Sequence, residues 1–237
     1  MVIWLFAGGG ESEVHGLVPN FLEKHFPDCQ FDRKTPIYQK PAGKRKAGVS
    51  YGYGKTSKSL AKQIKERLKT ALDNEESCDL ILVIDDLDCR DQNKQIEMFL
   101  QAIDTVKAAK DIERIIGFAA PEIESWLIAD WNNTIAKHVD FRNNHQAMRW
   151  WLSQNKNIAF DAPESFSAYD PDRDCCKEKL SETLIESTEQ YNCKEIFSKG
   201  VHTPLLLKEI KIETLRNKCS IFREWYDDLS LRIYSKK

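Results

Sequence analysis

Four predicted strands, three of them short apolar runs, alternate with segments of helical spacing and constrain the fold of this chain more than any other feature. The clearest two are Val2 to Ala7 (VIWLFA) and Asp79 to Ile84 (DLILVI). A continuous apolar run of this kind is typical of a strand whose sheet is buried on both faces. Arg114 to Ala119 (RIIGFA) is a further predicted strand, and Phe31 to Tyr38 is a weaker strand candidate. Strands that alternate with helices predict an α/β fold with a mainly parallel sheet.

The pattern changes after Pro121, where helical spacing takes over and continues to the end of the chain. A polar stretch from Asp161 to Asp174 interrupts it. We therefore predict an α/β domain over residues 1–131 and a helical C-terminal region over residues 132–237 that packs on it. A chain of 237 residues is long enough to bury a sizeable core without disulfides or structural metals.

The charge of the chain is strongly divided along its length. The total is −2, but Arg33 to Lys69 contains twelve basic residues and one acid, which gives +11 and leaves −13 for the remainder. A concentrated cation of this kind favours a polyanionic partner such as DNA. The alternative is a solvated basic surface. The residues that we expect to contact phosphates are Lys44, Arg45, Lys46, Lys55, Lys58 and Lys62.

A phosphate-binding P-loop does not explain this segment. Gly54-Lys55-Thr56 would need a glycine at position 49, which is Val49, and no buried strand precedes the loop.

Acidic residues follow two of the predicted strands. Glu11 and Glu13 come after the first strand, and Asp85, Asp86 and Asp88 come after the central one. The carboxyl ends of parallel strands meet at one edge of a sheet, where ligands gather. Alternate residues of an extended backbone share a face, so Asp86 and Asp88 are expected to present two carboxylates to one Mg²⁺ ion. The alternative is a solvated acidic turn.

A third acidic group consists of Glu122, Glu124 and Asp130. If this segment is helical from Glu122, the angles of about 100° per residue place Glu122 and Glu124 on opposite sides of an apolar stripe. The two glutamates are then not expected to face one site. Asp130 falls within the stripe, where a carboxylate needs a partner, a metal or a helix end.

The seven cysteines are odd in number and contain no Cys-x-x-Cys pair, so we expect reduced thiols in a cytoplasmic protein. A metal cluster of Cys175, Cys176, Cys193 and His202 fits no common spacing. No run approaches the roughly 20 apolar residues of a membrane span, and the start of the chain lacks the features of a signal peptide. We expect no membrane association.

Three motifs together resemble a known family. They are Gly10-Glu11-Ser12-Glu13 after the first strand, Asp86-Leu87-Asp88 after the central strand, and Pro121-Glu122-Ile123-Glu124-Ser125-Trp126-Leu127-Ile128-Ala129-Asp130 after the next. The chain resembles Toprim-like proteins of unknown function that are related to the nuclease domain of OLD-type (overcoming lysogenization defect) proteins. The C-terminal run from His202-Thr203-Pro204 to Leu229 resembles the tail of the same group.

This resemblance implies a Toprim-like sheet and a Mg²⁺- or Mn²⁺-dependent endonuclease that cleaves DNA in antiviral defence with an ATPase partner. It implies that Glu11, Asp86 and Asp88 hold the metal. Glu11 or Glu13 would then act as ligand or general base, with Glu124 completing the site. The family usually reads Glu-Gly-x-Ser/Thr-Glu, and Gly9 stands where its first glutamate belongs, so Glu11 is expected to substitute.

Two other readings stay open at this point. One is a Toprim-like module without catalysis that binds nucleic acid or an ATPase partner. The other is a phosphatase that uses Asp86 and Asp88 as nucleophile and acid, although that chemistry usually places its Asp-x-Asp after the first strand.

Overall fold

A computed structural model describes residues 1–8, 13–35 and 56–235, with side chains in the second range described from residue 16 onward. Its main sheet contains four parallel strands in the order β2-β1-β3-β4. These strands are β1 (Val2–Ala7), β2 (Gln30–Thr35), β3 (Leu80–Asp86) and β4 (Glu113–Ala119). Helices flank the sheet and form most of the C-terminal part, so the predicted α/β class is confirmed.

The helices that accompany the sheet are a π-helical segment, Glu13–Leu22, which continues into the turn Glu23–His25 (together α1), then α2 (Ser57–Asp73), α3 (Gln92–Asp104) and α4 (Glu124–Ala129). The C-terminal part contains α5 (His145–Asn155), a hairpin of β5 (Tyr169–Asp170) and β6 (Cys175–Cys176), α6 (Leu180–Gln190), α7 (Lys199–Leu207), α8 (Ile212–Lys218) and α9 (Ser220–Ser235).

The sheet is buried on both faces, as its continuous apolar strands predict. Ile3 and Leu5 of β1 point into one core with α1 and the C-terminal helices, while Trp4 and Phe6 point into a second core with α2 and α3. This division follows from the alternation of side chains along a strand. The first core is the larger one, because the whole C-terminal part packs against that face.

The segment after β1 differs from the expected helix. We expected Pro19 to kink an α-helix or displace its start, whereas Pro19 lies inside the π-helical part of α1. This π-helical part of α1 packs against α7, and Gly16 allows the two helices to approach closely. A Cβ atom at Gly16 would lie 2.6 Å from the Cα atom of Pro204. This contact fixes α7 beside α1.

The predicted boundary near residue 131 stays a prediction, and the larger core includes residues from both sides of it. Within the parts of the chain that the structure describes, none of the helices has both the length and the apolar character required to cross a membrane.

The contact between β4 and α9 gives a test of this packing. A Cβ atom at Gly117 would lie 2.9 Å from Cγ of Trp225, which is 4% exposed. We expect Gly117→Ala to lower the free energy of unfolding by about 1–2 kcal/mol, because overpacking outweighs the gain in strand propensity. Urea unfolding measures this change in the free energy of unfolding. Ala102→Gly on α3 is the control, because it changes secondary-structure propensity without involving the contact with Trp225. An unchanged midpoint for Gly117→Ala would contradict the packing.

Candidate active site

The three aspartates at and just after the end of β3 have different partners. Asp86 lies at the end of the strand, where its Oδ1 atom accepts a hydrogen bond from the backbone N–H of Ile123 at 2.9 Å. Its Oδ2 atom lies 3.3 Å from Nζ of Lys199. Asp86 is therefore fixed between the segment after β4 and the start of α7.

Asp88 does not share these partners. Its Oδ2 atom lies 3.1 Å from Nη1 of Arg90, and Arg90 also pairs with Asp174. The backbone of Asp88 and Cys89 is left-handed, with φ of 51° and 60°, so the chain turns here instead of staying extended. Burial, followed by the charge of Asp86, raises the pKa of Asp88, so the two carboxylates interact although their hydrogen-bond partners differ. The expectation that they serve one ion stays a prediction.

Asp85 points to the start of α2. Its Oδ2 atom accepts the backbone N–H of Ser57 at 2.7 Å, which supplies a cap that Thr56 does not provide. Its Oδ1 atom fills the space beside Gly8, where a Cβ atom would lie only 1.9 Å away. Burial raises the pKa of Asp85 well above its usual range.

Two glutamates join Asp86 around one ammonium group. Nζ of Lys199 lies 3.1 Å from Oε2 of Glu124 and 3.6 Å from Oε2 of Glu122. Thr203 of α7 donates its hydroxyl to the Oε1 atom of Glu124 at 2.8 Å. Glu124 is completely buried, while the side chain of Lys199 keeps 32% exposure. We call Asp86, Glu122, Glu124 and Lys199 the edge cluster; solvent reaches it past Lys199.

The expectation that Glu122 and Glu124 cannot face one site is wrong. The angular argument assumed a helix that begins at Glu122, whereas α4 begins at Glu124. Glu122 lies in the turn before the helix, and it accepts hydrogen bonds from the backbone of Leu180 at 3.2 Å and from the hydroxyl of Ser181 at 2.8 Å. The angle of about 100° per helical residue therefore does not apply to Glu122.

The edge cluster carries more negative than positive charge. Burial, followed by the charge of Glu124, raises the pKa of Glu122 to about 7, while Lys199 opposes the shift. Near neutral pH, Glu122 is therefore able to hold a proton or release it. A carboxyl group with such a pKa is suited to proton transfer.

The other predicted site residues divide into two groups. Glu11, Lys44, Arg45, Lys46 and Lys55 lie outside the described residues, as does the side chain of Glu13 at the start of α1. Lys58 and Lys62 are exposed on the first turns of α2, and Lys62 lies 4.0 Å from Glu66. Because Asp85 holds Ser57, this end of α2 lies at the same edge of the sheet as the acidic residues.

The prediction that all cysteines are reduced is wrong for two of them. Cys89 and Cys176 form a disulfide, so Cys176 is not a free thiolate for the metal cluster considered above. The other five cysteines are not disulfide-bonded, namely Cys29, Cys78, Cys175, Cys193 and Cys219.

A separate cluster contains His138, Asp140 and His202, whose possible ligand atoms lie within 4.8 Å of one another. Nδ1 of His202 accepts the backbone N–H of Ser198 at 2.8 Å, so the neutral ring carries its proton on Nε2, the atom that faces Asp140 at 3.7 Å. A metal ligand would need Nε2 free of its proton. Asp140 also pairs with Lys194 at 3.3 Å. The arrangement fits a buried hydrogen-bonded group better than a metal site.

The buried carboxylate of Asp130 has hydrogen-bond donors as partners. Its carboxylate accepts the backbone N–H of Lys211 at 2.8 Å, just before α8, and the side-chain amide of Asn133 at 2.8 Å. The prediction that Asp130 needs a partner or a helix end is confirmed, and its role is structural.

Two residues of the site were missed by the sequence argument. Lys199 is far along the chain from the carboxylates that it contacts, and no spacing pattern in the sequence predicts the contact. The run His202-Thr203-Pro204, which belongs to the resemblance, marked the same helix, and Thr203 is the residue that contacts Glu124.

The fold and the site together define an α/β protein with an acidic cluster at the carboxyl edge of a parallel sheet. The sequence matches the family profile DUF4276, described as a domain of unknown function, over residues 8–230. The chain therefore belongs to the DUF4276 family. Searches of curated proteins and of solved structures found no match.

The raised pKa of Glu122 predicts how stability changes with pH. The folded state binds a proton that the unfolded state releases near pH 4.5, so unfolding becomes easier as the pH rises from about 5 to 7. Glu122→Gln has no such proton. In the presence of a chelator, we expect the stability of the parent protein to fall relative to this variant by about 2 kcal/mol between pH 5 and 8.

Urea unfolding at several pH values measures this difference. Glu182→Gln, which removes an exposed carboxylate from α6, is the matched control and should follow the parent. Parallel pH curves for the parent and Glu122→Gln would show that Glu122 titrates normally.

Proposed function

We propose that this protein is a Mg²⁺- or Mn²⁺-dependent endonuclease of Toprim type that cleaves DNA. The observation that carries the proposal is the convergence of Asp86, Glu122 and Glu124 at the carboxyl edge of the sheet. Side chains from two strand ends meet there, and the edge stays open to solvent beside Lys199. The resemblance of the motifs to OLD-type nucleases supports the same reaction.

The residues present fit a divalent cation. Three carboxylates and one ammonium carry a formal charge of −2, and the donors are the hard oxygens that Mg²⁺ prefers. Oε2 of Glu124 is buried and has no hydrogen-bond partner among the described residues, although Lys199 lies nearby. Asp86 and Glu124 would hold the ion, with Glu11 or Glu13 as a further ligand. When bound, the ion would stabilise charge on the phosphate oxygens.

The protein groups around this position have separate tasks. The N–H of Ile123 fixes Asp86, and Thr203 fixes Glu124, so neither carboxylate has to be ordered when substrate binds. Glu122, with a pKa near 7, takes a proton from the attacking water or returns one to the leaving oxygen. Lys199, once released from the carboxylates, offers a positive charge to the phosphate.

The basic segment would place the DNA backbone at this edge. Lys58 and Lys62 stand on the first turns of α2, which Asp85 anchors beside β3. Lys44, Arg45, Lys46 and Lys55 belong to the segment that leads into this helix. The proposal includes an ATPase partner and a role in antiviral defence, on the strength of the resemblance, and a cytoplasmic location. The second candidate, a module that binds without catalysis, is favoured by Gly9 at the family glutamate position.

Replacing Asp86 tests the site directly. We expect Asp86→Asn to lower Mn²⁺-dependent cleavage of DNA by at least about a hundredfold, because it removes an anionic ligand at nearly constant shape. Asp140→Asn is the matched control, since Asp140 belongs to the separate cluster with His138 and His202. Cleavage rates with a plasmid substrate, at equal protein concentration and with folding checked by circular dichroism, measure both.

The pattern of losses separates the hypotheses. If Asp140→Asn abolishes cleavage and Asp86→Asn leaves it intact, the histidine cluster is the metal site and the edge cluster is structural. If the parent cuts nothing in Mn²⁺, with or without its candidate partner, but binds DNA, the non-catalytic module is the correct function.

The basic segment predicts a salt-dependent affinity for duplex DNA. Each phosphate contact contributes a slope of about −0.9 to the plot of log affinity against log salt concentration. We expect the joint replacement of Lys44, Arg45 and Lys46 by Ala to reduce the slope by up to about three units. Replacing Lys94, Lys107 and Lys110, which are exposed around α3, removes the same charge and should change it little. Equal slopes for the two triple variants would remove the segment from the interface.

A further inference from the structure

An open cleft lies next to the edge cluster. Three segments line it: the loop after β3, the turn after β4, and residues 164–169 of the C-terminal part. The residues at its walls include Leu87, Arg90, Pro121, Phe166 and Tyr169. The cleft has a volume of about 250 Å³. Pockets for drug-sized ligands begin near about 300 Å³, so this cleft suits one planar ring system and not a larger molecule.

The cleft and the edge cluster are neighbours along two segments of the chain. Leu87 directly follows Asp86, and Pro121 directly precedes Glu122. Consecutive Cα atoms are about 3.8 Å apart. The backbone N–H of Asp88 donates to the carbonyl of Pro121 at 2.8 Å, which joins the two segments. A strand of DNA with one phosphate at the edge cluster therefore has an adjacent base within reach of the cleft.

The ring of Tyr169 is exposed and yet held in place. It is 41% exposed, and its hydroxyl donates to Oδ1 of Asp174 at 2.8 Å. The same oxygen lies 3.3 Å from Nε of Arg90, on the opposite segment of the cleft. The Cys89–Cys176 disulfide ties that segment to the hairpin as well. An aromatic ring that is already ordered loses little freedom when a base stacks on it.

Two hydroxyl groups give the cleft a hydrogen-bond donor and an acceptor. The hydroxyl of Ser167 accepts the backbone N–H of Glu178 at 2.9 Å and keeps its own proton to donate. The hydroxyl of Ser165 donates to the carbonyl of Ala162 at 2.7 Å and keeps its lone pairs to accept. Phe166 adds a buried apolar wall. A nucleobase has matching properties, with faces that stack and edges that carry donors and acceptors.

A phosphate group fits this cleft less well than a base. Among the described residues that line it, the one cation is Arg90. Arg90 is already paired with Asp88 at 3.1 Å and with Asp174 at 3.3 Å. The lining therefore offers no surplus positive charge to an anion.

We propose that this cleft is a subsite for one unpaired nucleobase beside the phosphate that is cleaved, with Tyr169 as its stacking surface. The inference rests on the proposed nuclease function and specifies its substrate class as single-stranded DNA, or duplex DNA that has opened locally. A base inside a duplex is paired and stacked, so it cannot enter the cleft without leaving the helix. Negative supercoiling of a plasmid favours such opening.

Oligonucleotide binding in the presence of a chelator tests the subsite while no strand is cut. The probes are a single-stranded oligothymidylate of about twelve nucleotides and an abasic strand with the same number of phosphates, followed by fluorescence anisotropy. We expect the parent to bind the oligothymidylate at least about fivefold more tightly than the abasic strand, because one stacked base contributes at least this much. Tyr169→Ala should lower this preference at least about fivefold, and Tyr169→Phe, which keeps the ring, should retain most of it.

Tyr234→Ala is the matched control, because it removes an exposed tyrosine from α9, outside the cleft. It should bind both strands like the parent, and circular dichroism confirms the folding of each variant. The proposal is overturned if the parent binds the two strands equally or binds neither, if Tyr169→Ala keeps the preference, or if Tyr169→Phe loses as much as Tyr169→Ala. An oligouridylate of the same length identifies the kind of strand, and tighter binding of this RNA than of the DNA would overturn the assignment to DNA.

Cleavage assays in Mn²⁺ separate this inference from the proposed function. If the preference for bases depends on Tyr169 but no form of the protein cuts DNA, the nuclease proposal fails and the base subsite stands. If DNA is cut and Tyr169→Ala discriminates between the two strands as the parent does, the nuclease proposal stands and the base subsite fails.

Discussion

The contact between Lys199 and three carboxylates is the interaction on which the arrangement of the two parts of the chain depends. Asp86 ends β3, Glu122 and Glu124 lie in the turn and the helix that follow β4, and Lys199 comes from α7 in the helical part. Burying carboxylates without a counter-charge is expensive. The helix must therefore dock where it does, and the close approach of Gly16 to Pro204 makes that position possible. Packing and charge neutralisation select the same orientation.

Much of the fold follows from the sequence, because its main signals are local. β1 has the predicted bounds, and β3 and β4 differ from the predicted segments by only one or two residues. A strand that is buried on both faces must be apolar along its whole length, and little else in the chain has that pattern. The acidic residues at the strand ends were found for the same reason: a parallel sheet places the ends of its strands together.

The details of the site could not be predicted, because they depend on turns and on distant residues. The left-handed turn at Asp88 and Cys89 is not visible in the apolar pattern, and because α4 starts at Glu124, the helical angle between Glu122 and Glu124 does not apply. Lys199 is 113 residues from Asp86, and the disulfide partners are 87 residues apart. No periodic pattern carries information over such separations. Only the packed structure shows which of the acidic residues meet.

In the edge cluster, a proton, the ammonium group of Lys199 and a metal ion would compete for the same carboxylates. Three carboxylates and Lys199 leave −2, and a proton on Glu122 reduces this to −1. Burial, followed by the charge of Glu124, raises the pKa of Glu122 to about 7, so this proton is exchanged near neutral pH. A divalent cation would lower that pKa and weaken the hold on Lys199, since like charges repel. Binding of the ion would thus deprotonate Glu122 and free Lys199 together. The two groups suited to moving a proton and contacting a phosphate would become available at the moment the site is filled.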